Sequence, residues 1–313
     1  MKELVKKALK QVEPKLEEKE KLLNLKDSIL NEIKELGINT VEPKVVGSIA
    51  KGTYLEGTDI DIFLVFQKGT NLKEEGLDIA KKILPKGKEL YAQHPYLRGE
   101  IKGVGIDLVP CFAIDKSTES ISAVDRTPFH TDWVVSNIAG LENEVRLTKQ
   151  FLKAIGAYGA NSAIGGFSGY LVEILCIKYG GFLNLINEIS QWRPPITIDE
   201  IRNAPDSPIM ICDPVDHKRN VAAGVTLKGL GTAILASKSF IDKPSMNFFY
   251  PEYKERKFQG KLTTIVLPLP KGNEETIMPW LQKQGRKIYS ALRDFEPIAW
   301  NANMGKEGYI VVE

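Results

Sequence analysis

Between Glu13 and Leu36 apolar side chains return every three or four positions. Leu16, Leu22, Leu23, Ile29, Leu30 and Ile33 sit among lysines and glutamates, the spacing of an amphipathic helix. Gly37 ends it, glycine being the usual residue where a helix closes in left-handed backbone. The period then shortens. Val45-Val46 is a brief apolar run ending at Gly47-Ser48, and a turn around Gly57 follows. Ile60-Asp61-Ile62-Phe63-Leu64-Val65-Phe66 is short, β-branched and aromatic, which predicts a strand. A helix over residues 72–83 and strands over 90–97 and 104–109 come next. This order predicts an α+β module with a mixed or antiparallel sheet.

The pattern after that is helical. Apolar positions from Leu141 to Ile155 give one face to a helix ending at Gly156, and Arg146, Lys149 and Lys153 form a basic stripe along it. Further helices are expected over 166–179 and 220–239. A polar, basic stretch at 253–261 leads to a strand over 263–267, closed by Pro268, which cannot donate to a ladder. A helix over 274–295 and strands over 298–301 and 309–312 complete the chain. The expected division is a catalytic-type head at 1–138, a helical middle at 139–256 and a small α/β unit at 257–313.

Composition narrows the class. The chain has 313 residues, 42 Lys plus Arg against 40 Asp plus Glu, and 43% hydrophobic residues. Those values are ordinary for a globular protein and exclude collagen-like or disordered chains. Cys111, Cys176 and Cys212 lie far apart without a C-x-x-C pair, so they build neither a zinc module nor a disulfide framework, and a cytoplasmic, reducing location is expected. The most apolar stretch, Gly169 to Ile186, is interrupted by Glu173 and Lys178, so no membrane span is expected. The N-terminus lacks a signal peptide's apolar core.

The chemistry concentrates in Gly47-Ser48, then Gly57-Thr58-Asp59-Ile60-Asp61. Side chains alternate along a strand, so Asp59 and Asp61 face one way and Ile60 and Ile62 the other. Two carboxylates at one strand end repel each other unless a divalent cation lies between them, and Mg²⁺ is commonly held by one or two carboxylates plus substrate phosphates. Gly47 lets backbone approach closely, and the following turn offers N–H groups, the Ser48 hydroxyl and Lys51 to a phosphate. Asp107, alone in the apolar run Val104 to Val109, is a third carboxylate in need of a metal or a cationic partner.

Gly47-Ser48, Asp59-x-Asp61 and Asp107 together resemble the signature of the polymerase-β-like nucleotidyltransferase superfamily. Longer strings are similar to one branch, the archaeal (class I) CCA-adding enzymes: Tyr91 to Tyr96, Asp107 to Cys111, Ser122 to His130, Gly166 to Leu171 and Asp213 to Ala222. That resemblance implies addition of C, C and A to tRNA 3′ ends from CTP and ATP by two-metal chemistry with Mg²⁺. Its carboxylate triad falls on Asp59, Asp61 and Asp107, which serve as both catalytic and metal-holding residues. Its nucleotide-binding positions fall on Gly47, Ser48, Lys51, Thr127, His130, Lys149, Tyr158 and Arg219, with Arg219 choosing C or A. Without the resemblance, Lys149 belongs to a solvated stripe, Arg219 pairs with Asp216, and His130 is a structural residue in a loop.

The implied partners are the tRNA acceptor end and nucleoside triphosphates, with no membrane. Lys254, Arg256, Lys257, Lys261, Lys283, Arg286 and Lys287 are candidates for RNA-backbone contact. Gln93 stands where the family commonly has an acidic residue. The family continues into a tail domain, so a missing tail, a separate tail polypeptide and a homodimer all stay open. Two other readings remain: a terminal nucleotidyltransferase for another RNA or small-molecule acceptor, and an inactive RNA-binding module.

Overall fold

The computed structural model describes residues 1–38, 41–91, 95–120, 122, 124–161, 163–201, 207–252, 262–272, 274–295 and 300–312. Two helices come first, α1 (Lys2–Val12) and α2 (Leu16–Glu35). Then follow β1 (Val41–Val46), the single helical turn α3 (Gly47–Ala50), β2 (Ile60–Phe66), α4 (Leu77–Ile83), β3 (Lys88–Tyr91), β4 (Pro95–Ile101) and β5 (Val104–Phe112). The strands form one mixed sheet in the order β1-β2-β5-β4-β3, with β2 parallel to β5 and the other pairs antiparallel. The strand expected over 90–97 is divided between β3 and β4, and Ala92, Gln93 and His94 lie outside the described residues.

The two-residue period sorts the faces of this sheet. Ile60, Ile62, Leu64 and Phe66 of β2, with Ile106 and Leu108 of β5, are buried against Leu25, Ile29 and Ile33 of α2 and Ile79 and Ile83 of α4. The opposite face carries Phe63 and Cys111 farther along the strands, packed with Val46.

After α5 (Thr127–Asn137), the middle unit contains α6 (Glu142–Ala154), α7 (Gly169–Tyr179), α8 (Phe182–Gln191), the short pair β6 (Ile196–Thr197) and β7 (Ile209–Met210), the hairpin β8 (Cys212–Asp213) and β9 (Asp216–Asn220), and α9 (Leu227–Asp242). Phe151, Phe182, Phe240 and Phe249 cluster at its centre with ring centroids 5.5–5.9 Å apart. α1 inserts Val5, Ala8 and Val12 into this same core. The helix expected from residue 220 begins only at Leu227, where the Thr226 side chain caps it by accepting from the Gly229 N–H. Asn220 instead accepts from the backbone N–H groups of Ile211 and Ala222 and ends β9. His130, expected in a loop, lies inside α5, because Pro128 supplies a favourable first-turn residue.

The last unit is a three-stranded antiparallel sheet of β10 (Thr263–Leu267), β11 (Trp300–Met304) and β12 (Gly308–Val312), ordered β10-β12-β11, covered by α10 (Glu274–Ala291). Lys254, Arg256, Lys257 and Lys261 lie outside the described residues. Among the described residues no single helix is long and apolar enough to cross a membrane.

Candidate active site

Asp61, the second residue of β2, lies directly beside Asp107 of β5, the two being register partners in the parallel pair. Asp59 precedes β2 by one residue. On the other side Val46 of β1 pairs with Asp61, which brings Gly47 over the carboxylate. Gly47 has φ +70°, and a Cβ there would overlap Asp61 Oδ2. A Cβ at Gly105 would overlap Asp59 Oδ1 in the same way. Two carboxylates thus lie in clearances that only glycine leaves open.

Burial, then repulsion from Asp107 and Asp59, pushes the Asp61 carboxyl up to about 7. Asp107 is also raised, chiefly by burial, against the opposing pull of Arg98. Arg98 lies on β4 opposite Asp107, with NH1 3.1 Å from Asp107 Oδ2 and NH2 on Asp59 Oδ2. Among the described residues, Asp107 Oδ1 is buried without a hydrogen-bond partner.

The second half of the site is built on a buried carboxylate, Glu173 of α7. It takes Lys51 Nζ at 2.9 Å on one oxygen, and Lys149 Nζ at 2.9 Å and the Thr53 hydroxyl at 2.6 Å on the other. Burial alone would raise Glu173, but Lys149 and Lys51 outweigh it and hold the carboxyl below its usual range. Lys51 and Thr53 come from the head and Lys149 and Glu173 from the middle unit, so this network joins the two. Ser48 Oγ lies 3.2 Å from Thr58 Oγ1, and Ser48, Lys149 and Tyr158 line a cavity of about 170 Å³. Tyr158 is pushed up to about 12 by burial and by Glu173.

A second buried carboxylate, Asp213, organises the far side. It accepts from Arg219 NH1 at 2.7 Å, from the Tyr170 hydroxyl at 3.0 Å and from the Val215 N–H at 3.1 Å, with His130 Nε2 also 3.1 Å away. Burial opposes its ionisation, yet His130, Val215 and Arg219 together hold it down at about 2. Burial lowers His130 more than Asp213 raises it, so the imidazole is neutral near pH 7. Its ring stacks on Tyr170 at 4.0 Å, and the Tyr170 ring receives Lys51 on its face at 5.2 Å. Thr127 is half-buried one helical turn before His130 on the same side of α5.

Comparison with known proteins gives this geometry a context. The description "Nucleotidyltransferase domain" matches residues 26–130, and "tRNA nucleotidyltransferase, second domain" matches residues 143–250. The CCA-adding enzyme of Sulfurisphaera tokodaii is 41% identical over 283 residues, covering 86% of this chain and 67% of the relative. That of Archaeoglobus fulgidus is 38% identical over 317 residues, covering 95% and 71%. This chain belongs to the CCA-adding enzyme family. Solved structures share the fold at lower identity. A cytoplasmic RNA terminal U-transferase aligns with TM-score 0.60 at 13% identity, over 80% of this chain and 97% of that one. CdnC of E. coli with ATP aligns with TM-score 0.56 at 16% identity, over 79% and 97%. The likeness shows a shared fold, of the α+β class expected.

For a CCA-adding family member, the sequence-predicted residues fall into three groups. Asp59, Asp61, Asp107 and Gly47 stand at the sheet end. Lys51 and Lys149 pair with Glu173, and Ser48 and Tyr158 line a cavity with Lys149, while His130 and Arg219 bond Asp213 with Thr127 one turn before His130. Two expectations are corrected. Arg146 and Lys149 form no solvated stripe: both are buried, Arg146 donating to the Tyr54 carbonyl and Lys149 to Glu173. Arg219 pairs with Asp213, because it lies on β9 of a tight hairpin facing β8.

Arg98, Glu173 and Asp213 escape sequence reading. The signal for Glu173 is its position in an apolar helix, since a buried carboxylate requires cations. The carboxylates suit a divalent cation in donor chemistry, in the enforced closeness of Asp61 to its neighbours, and in the unpartnered Asp107 oxygen. Among the described residues no three His, Cys, Asp or Glu side chains already stand as a cage. Arg98 lies between two of them.

Proposed function

We propose that this chain adds C, C and A to the 3′ end of tRNA from CTP and ATP without a nucleic-acid template. Family membership supports the reaction. In the geometry, the observation that carries it is the three-carboxylate sheet end with buried Lys51, which acts electrostatically on Asp61 and is tied to Lys149 through Glu173.

Asp59, Asp61 and Asp107 are the residues that hold divalent metal, with magnesium as the proposed ion. A divalent metal held there would supply Lewis acidity to the RNA 3′-hydroxyl and positive charge to the phosphates. The new bond joins the 3′-oxygen to the α-phosphorus. The bond from the α-phosphorus to the bridging oxygen breaks, and pyrophosphate leaves with that electron pair. The hydroxyl proton passes towards Asp107.

Lys51 and Lys149 provide fixed positive charge for the triphosphate, Ser48 a hydroxyl, and Tyr158 a neutral phenol beside them. Arg219, braced by Asp213, presents a planar donor fork to the base edge, which favours C and A over G and U. The proposed division of labour assigns phosphoryl chemistry to the head (1–138), nucleotide selection to the middle unit (139–256) and RNA contact to the last (257–313), with the cytoplasm as the compartment.

The deciding experiment incubates the protein with Mg²⁺, each labelled nucleotide in turn, and tRNAs lacking one, two or three terminal nucleotides. CTP should extend tRNAs lacking two or three nucleotides, and ATP the tRNA lacking one, with GTP and UTP refused. Equal use of all four would point instead to a terminal nucleotidyltransferase with another acceptor.

A further inference from the structure

Arg98 stands where a cation belongs. β4 runs antiparallel to β5 with Arg98 opposite Asp107, and directly opposed residues project to the same face of a sheet. The guanidinium forks between carboxylates that come from different strands, one nitrogen 3.1 Å from Asp107 Oδ2 and another on Asp59 Oδ2. A planar fork spans such a pair where a single ammonium would have to choose between them. Two of the three carboxylates therefore already share one positive charge from within the chain.

We propose that Arg98 is the internal counter-cation of the metal site, holding Asp59 and Asp107 in the metal-free protein and leaving them when a divalent ion binds. The inference rests on the metal-holding role given above to the three aspartates. Arg98 has somewhere to go: its side chain is 44% exposed, and it lines an open groove of about 650 Å³ with Lys21, Glu18 and Glu100. Competition from an attached cation falls hardest on a metal ion that arrives alone. An ion arriving with a triphosphate brings further contacts to Lys51 and Lys149, so metal and nucleotide bind together better than either does separately.

The test is Mn²⁺ binding in the absence of nucleotide, followed by the electron paramagnetic resonance of the free ion. Wild type is compared with Arg98→Gln, Arg98→Lys and Asp61→Asn. Removing a unit positive charge beside the ion, discounted for solvent exposure, should tighten Mn²⁺ binding about tenfold in Arg98→Gln. Arg98→Lys should fall between, since its ammonium engages one carboxylate at a time. Metal-free Arg98→Gln should melt below wild type, and Mn²⁺ should close the gap. Unchanged or weaker Mn²⁺ affinity in the Arg98 variants overturns the proposal, and Arg98→Lys alone decides if Arg98→Gln does not fold. Asp61→Asn separates the two levels. If it binds Mn²⁺ as wild type does, the metal-site reading itself fails. If it binds weakly while the Arg98 variants match wild type, only the counter-cation role fails.

Discussion

Asp61 is a side chain kept in place against its own electrostatic preference. With its carboxyl raised to about 7 in the fold, it carries no penalty below its unfolded pKa, near about 4. The penalty grows as pH rises between those values and is complete above the folded one. Asp61→Asn should therefore raise the Tm of the metal-free protein at about pH 8 by a few degrees and bring no gain near about pH 4. The same variant, like Asp59→Ala and Asp107→Ala, should lose more than about tenfold in nucleotide addition, or ~1.4 kcal/mol of barrier stabilisation. Equal melting shifts at both pH values would contradict the repulsion. Glu173 presents the opposite case. Glu173→Ala leaves two buried ammonium groups without their counter-charge, and urea unfolding should show a loss of about 3–5 kcal/mol. The three aspartates were legible because acidic residues in apolar strands contradict their surroundings. Arg98 was not, since its meaning depends on the register of β4, which the spacing of residues does not reveal.

At the level of elements, the site depends on two glycines whose missing Cβ atoms make room for carboxylates. Gly47→Ala and Gly105→Ala should each depress nucleotide addition more than about tenfold, because the displaced side chains are Asp61 and Asp59 themselves. Gly57→Ala is the control. It also has positive φ, +76°, but open space around it, so it should cost only about 1–2 kcal/mol of backbone strain and leave addition near wild type. A similar loss at all three would show that strain, and not clearance, is responsible. The alternation of β2 and β5 was readable in advance because a two-residue period fixes both the element and its faces. α9 was placed too early because the apolar run after Asn220 continues the helical pattern, whereas the Asn220 side chain bonds backbone and stops it. α8 was missed because Gly180 and Gly181, both at positive φ, break an apolar stretch that looks continuous by composition.

For the whole molecule, the nucleotide choice proposed above rests on groups the chain gathers from distant places. Asp213 on β8 fixes Arg219 of β9, Tyr170 of α7 and His130 of α5 through one carboxylate. Arg219→Ala should relax the choice of CTP and ATP over GTP and UTP more than it weakens binding, measured as single-nucleotide incorporation rates against each triphosphate. Asp213→Asn should reproduce part of that relaxation with Arg219 still present. Unaltered selectivity in both would remove base recognition from this side of the cleft.

The route of the polypeptide through these units matters mechanically. α1 is buried in the middle core and α2 covers the sheet of the head, so the chain starts in one body, crosses over to build the other, and crosses back by way of α5. The head is slung on two covalent straps. The Lys51–Glu173–Lys149 network lies between the same two bodies, so any change in the angle of the head has to part buried charges, and a single cut in either strap leaves the head still tethered by the other.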